Sequence, residues 1–61
     1  MRAKTAEEIG KSISQMRKMR RVTQRELAQK LNTHQSMVAR WEKGQIYCRP
    51  ETVEQIAQIL T

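Results

Sequence analysis

The sequence predicts an all-α fold, a compact bundle of about four short helices, two of them joined by a tight turn. Three observations carry that prediction. Thr5–Glu8 and Thr23–Glu26 are both Thr-x-x-Glu capping boxes, in which a hydroxyl and a carboxylate satisfy backbone N–H groups reciprocally at a helix start. Apolar residues recur at helical spacing in four separate segments. No run alternates apolar and polar residues as a half-buried strand does, and no repeat, linker or low-complexity tract interrupts the chain.

The first helix opens at the Thr5 box and carries Ile9, Ile13, Met16 and Met19 as its apolar face. Arg17, Lys18, Arg20 and Arg21 place positive charge at its end, where the helix dipole favours it. Gly10 either weakens this helix slightly or permits a close contact. The second helix runs from the Thr23 box to about Leu31, with Leu27, Ala28 and Leu31 on one face. Ala28 is small where the next helix has to cross close by. Asn32 stops this helix, because Asn tolerates the left-handed conformation that ends helices. The third helix covers about Gln35 to Lys43, with Met37, Val38 and Trp41 apolar and Gly44 just past its end. Its N-cap is Thr33 or His34. A loop, Gln45 to Arg49, leads to Pro50, which suits the first position of a fourth helix, with Glu51 and Glu54 near its positive end. Val53, Ile56, Ala57 and Leu60 form that helix's stripe. Residues 1–4 show no helical pattern and are expected to lack fixed structure. The whole of 1–61 reads as a single domain.

Sixty-one residues bury only about 60% of the unfolded surface, which limits stability to about 3–5 kcal/mol. That leaves no room for a multi-part active site with a substrate pocket. Twelve Lys and Arg against six Glu, with no Asp, give a net charge of +6 and favour a polyanionic partner. The one cysteine, Cys48, cannot form an internal disulfide; it is expected to be a small, half-buried filler in a cytoplasmic protein. With one His, one Cys and no Asp there is no metal-ligand spacing, no nucleophile–base pair and no cofactor motif, so no enzyme is read here. No apolar run approaches a membrane span and no signal peptide opens the chain. Residues 9–21 alone would suit a basic helix lying on a membrane. The matching apolar faces of all four segments favour a folded domain instead, because each needs the others.

The third helix divides as a groove-reading helix must. Gln35, Ser36, Ala39 and Arg40 face outward, while Val38 and Trp41 face inward. Gln can bond adenine bidentately, Ser can serve either base type, and Arg suits guanine or a phosphate. A polar face at this spacing usually means only solvation; the +6 charge and the tight turn shift the balance toward duplex DNA. Gln24 and Thr33, at the starts of the second and third helices, are candidate phosphate contacts, because helix N-termini bind anions. Arg25, Lys43, Gln45 and Arg49 extend that set. His34 lies beside the DNA backbone or helps cap the third helix, and Tyr47 packs beside Pro50.

The segment from Thr23 to Glu42 resembles the helix-turn-helix of the Cro and phage-repressor (XRE-type) family, and the likeness extends over about residues 6 to 60. The resemblance implies a lambda-repressor-like bundle and a sequence-specific transcriptional regulator of duplex DNA, most commonly a repressor. It implies that Gln24 binds a phosphate and braces Gln35, and that Gln35-Ser36 is a base-reading pair. Trp41-Glu42-Lys43-Gly44 is similar to the family's third-helix ending, whose Glu, here Glu42, pairs with a late first-helix Arg, here Arg17. Two departures stand out. Asn32 replaces the commonest Gly, and the family's usual fifth helix, often its dimer interface, has no counterpart. A weak homodimer formed or strengthened on a palindromic operator is therefore expected, through the fourth helix and the loop at 45–49. Ile46, Tyr47 and Leu60 are the apolar residues there with least core duty. The same fold also serves antitoxins, whose partner is a toxin protein; that alternative ranks below a simple regulator.

Overall fold

Thr5 and Thr23 both close the reciprocal caps that their spacing predicts. The Glu8 N–H donates to Thr5 Oγ1 at 3.1 Å, and the Thr5 N–H donates back to Glu8 Oε1 at 2.9 Å. The Glu26 N–H and Thr23 Oγ1 are 3.0 Å apart, and the Thr23 N–H reaches Glu26 Oε1 at 2.9 Å. The computed structural model describes residues 4–61; the expectation for residues 1–3 lies outside them, and Lys4 is exposed and outside any helix. The elements are α1 (Ala6–Met19), α2 (Gln24–Lys30), α3 (Gln35–Lys43) and α4 (Pro50–Ile59), with no strand among the described residues.

Three of the helices end on a left-handed residue. Gly44, at φ 75°, follows α3, and Asn32, at φ 58°, follows α2, both as their residue types predict. The third is Arg21, at φ 57° after α1, where no sequence signal pointed to it. Each closes with the same pair of bonds. After α1 these are Arg21 N–H to Lys18 O at 3.0 Å and Val22 N–H to Arg17 O at 3.1 Å. Leu31 is the cap of α2 rather than its last helical residue.

Ile13, Leu27, Val38 and Ile56 are fully buried, one from each helix, and Ala28, Cys48 and Leu60 complete the core. Ile9, Met16, Val22, Leu31, Trp41, Val53 and Ile59 pack around it. α3 lies against both α1 and α2, and α4 closes over α1 and α2.

The core corrects three of the assignments made above and refines a fourth. Met19 is 81% exposed: Ile9, Ile13 and Met16 fall within a narrow arc of α1, and Met19 stands about 60° beyond it. Leu60 is buried, so it belongs to the core and not to a free surface. Cys48 is fully buried rather than half-buried, because its loop folds inward between α3 and α4. Burial, eased slightly by the charge of Arg49, pushes its thiol up to about 11. Trp41 is only half-buried and flanks the core, whereas Leu27 lies inside it.

Gly10 settles in favour of the close contact. It is buried against α3, and a Cβ there would stand 2.2 Å from the Trp41 carbonyl oxygen and 2.8 Å from that of Glu42. One turn geometry explains why. Gly10 and Arg17 are seven residues apart, on the same side of α1, and both meet the end of α3. The missing side chain at Gly10 lets the two backbones approach, and the approach brings Arg17 within reach of Glu42.

Candidate nucleic-acid interface

Arg17 holds Glu42 bidentately. Its Nε donates to Glu42 Oε2 at 2.6 Å and its Nη2 to Oε1 at 3.0 Å. The pair spans α1 and α3, and its side chains are only 12% and 7% exposed. Arg17 Nη1 also donates to the Val22 carbonyl at 2.9 Å, which ties down the turn before α2. Gln24, the first residue of α2, donates its amide to Glu42 Oε1 at 3.0 Å. One carboxylate therefore links three helices at the base of the helix-turn-helix. Burial works to raise the Glu42 pKa, but the hydrogen bonds from Arg17 and Gln24, with the charges of Arg17 and Lys18, hold it below 4.5. The same contact raises Arg17.

The Gln24 bond to Glu42 is a contact that residue spacing did not reveal. The side-chain bond recorded for Gln24 runs to Glu42, not to Gln35, so the bracing expected of it takes another form. Gln24 keeps its amide oxygen and a second N–H beyond that bond. Both the pairing distance and the burial of Glu42 were invisible to a reading of local pattern, since 18 residues separate the two.

α3 sits with its polar face outward. Gln35, Ser36 and Arg40 are exposed, Ala39 is half-buried, and Val38 is fully buried beneath them. His34 is the N-cap, which decides between it and Thr33, but its side chain makes no capping bond. Thr33 is half-buried and its N–H is taken by the Ala28 carbonyl at 2.9 Å. Among the described residues no acceptor meets the N–H groups of Gln35 and Ser36. The start of α3 is thus an uncapped, positively polarised end that presents short polar side chains.

Arg25, Lys43, Gln45 and Arg49 are exposed, as is His34. Arg17–Glu42 is the one salt bridge among the described residues, so Arg25, Lys43 and Arg49 have no salt-bridge partner there. Those residues contain no cluster of His, Cys, Asp and Glu able to hold a metal ion. No helix is long and apolar enough to cross a membrane.

The helix-turn-helix family, of Cro and phage-repressor type, matches residues 13–61, and the chain belongs to it. Comparison with curated proteins and with solved structures gave no match. Membership makes the chain a DNA-binding helix-turn-helix regulator with DNA as its partner.

Proposed function

We propose, from membership of this helix-turn-helix family, that the domain is a repressor that lays α3 in the major groove of a specific operator. The observation that carries the reading is the open start of α3, where exposed Gln35 and Ser36 sit over a fully buried Val38. Gln35, Ser36, Ala39 and Arg40 read base edges. Gln24, Arg25, Thr33, His34, Lys43, Gln45 and Arg49 contact the flanking phosphates. Phosphate contacts set register and orientation, and base contacts set sequence. Repression follows from occupancy, because a bound domain blocks the duplex to other proteins.

Gln35→Ala tests the base-reading assignment. On the preferred duplex the variant should lose about 1–3 kcal/mol of binding, while random duplex loses little, as a bidentate base contact requires. Fluorescence anisotropy on both duplexes reads the difference. Equal losses would place Gln35 on the backbone instead.

A single reading helix spans too few base pairs to select one site, so two domains should share a palindrome with half-sites roughly 34–36 Å apart. With Leu60 in the core, the pairing surface is the apolar groove between Ile9, Tyr47, Pro50 and Val53. Tyr47 is 49% exposed there. Lys4 and Glu54 line the same groove with opposite charge. The area is small, so the free protein should sediment as a monomer at low micromolar concentration and as a dimer on operator DNA. A tight dimer without DNA would mean a more extensive surface than this one.

A further inference from the structure

Arg21 occupies a backbone position that its residue type does not favour. At φ 57° it lies in the left-handed region, as does Asn32 at φ 58°. Asn reaches that region at little cost because its short polar side chain bonds locally, and Gly reaches it freely. A long cationic side chain has neither advantage, so the backbone there is strained, and in so small a domain such strain is a large fraction of the whole stability. Strain that persists where a glycine would relieve it points to a use for the side chain.

The surroundings of the turn are cationic. Lys18, Arg20, Arg21 and Arg25 are all exposed, and no acidic residue falls between positions 9 and 25. Among the described residues none of these four has a salt-bridge partner. Arg20 and Arg21 form the turn that the Arg17 bond to the Val22 carbonyl holds in place, three residues before Gln24. Arg17 also ties this turn to α3 through Glu42, so the turn's backbone stands at a set position relative to the reading helix. The left-handed residue ends α1 there and leaves both arginine side chains exposed.

We propose that the α1–α2 turn, with Arg21 as its principal residue and Arg20 beside it, is a phosphate-contacting site for the DNA backbone outside the base pairs read by α3. The reading rests on DNA binding through α3. The turn lengthens the footprint of each domain beyond the contacts at α2, α3 and the loop to α4. Its ligand is the phosphodiester group, so it adds affinity without sequence preference.

Arg21→Gly tests this directly, because it relieves the backbone and removes the charge together. Thermal melting should rise by about 4–8 °C. Anisotropy on duplex DNA across a range of salt should show affinity falling several-fold, equally on operator and random sequence. The slope of log K against log salt should become shallower by about 0.9, the loss of one phosphate contact. Arg21→Lys should keep the wild-type slope. If wild type binds but Arg21→Gly keeps the wild-type slope and affinity, the turn is not a phosphate site and the proposal is overturned alone. If wild type itself shows no salt-dependent binding, the DNA-binding reading falls with it.

Discussion

Gly10→Ala should lower the melting temperature by ten degrees or more, although alanine is the better helix former. Propensity alone would make the change stabilising by about 1 kcal/mol. Packing reverses the sign. The new Cβ would meet the Trp41 and Glu42 carbonyl oxygens at 2.2 and 2.8 Å, and both are backbone atoms that no rotamer change can move. α1 and α3 must separate, at a cost of about 3 kcal/mol, which approaches the total stability of a domain this size. Each kcal/mol shifts the transition by about 4–8 °C in so short a chain. Separation would also stretch the Arg17–Glu42 bonds, so the loss should exceed that of a simple overpacked site. Circular dichroism against temperature reads the effect. A Gly10→Ala protein that melts at or above wild type would show that α1 and α3 do not need this approach.

Glu42→Ala should destabilise by about 3–5 kcal/mol, since it leaves the Arg17 guanidinium buried without a counter-charge. Gln24 loses its acceptor at the same time. Replacing both partners by apolar residues of similar volume should recover much of that loss, because neither charge is then stranded. Urea unfolding of the single and double variants measures the coupling; strictly additive effects would remove the pair from the account. The pH dependence has a definite sign. The folded Glu42 pKa lies below its ordinary value of 4.5, so its contribution is fully present above the unfolded pKa. It is lost as pH falls through the lower, folded value. Glu8 and Glu26 shift in the same direction, each through the backbone N–H and then the hydroxyl of its capping Thr. Stability should therefore be flat from neutral pH to about 5 and decline below it, and Glu42→Gln should make the decline shallower.

The starts of α1, α2 and α4 were legible because capping is local: a Thr, a Glu three residues later, or a Pro at the first turn states its own geometry. The outward face of α3 was legible for the same reason, since a 3.6-residue period sorts Gln35 and Arg40 from Val38 without reference to any other element. What escaped depends on contacts across the chain. Gly10 left two explanations open until the α3 backbone was in place beside it. Arg17 and Glu42, 25 residues apart, were paired only through family resemblance, and the Gln24 bond to the same carboxylate had no sequence signal. Met19 was misplaced by continuing a stripe one step too far, past the arc that faces the core. Leu60 and Cys48 were underestimated because they follow from how the segment after Gly44 folds back, a path that no short-range pattern records. Arg21 escaped because nothing in its residue type announces a left-handed turn.

Cys48 gives the domain a built-in gauge of its own opening. The side chain is 1% exposed and its thiol is pushed up to about 11, so neither access nor ionisation favours attack in the folded state. At neutral pH the reactive anion of such a thiol is scarce. A thiol-specific reagent must therefore wait for the segment between α3 and α4 to come away from Ile56 and its neighbours. With only one cysteine in the chain, each molecule records a single event. The labelling rate then follows the population of the opened state when reclosing outpaces reaction, and the opening rate itself when it does not. The residue that looked like filler in the sequence is a stopwatch for the native state.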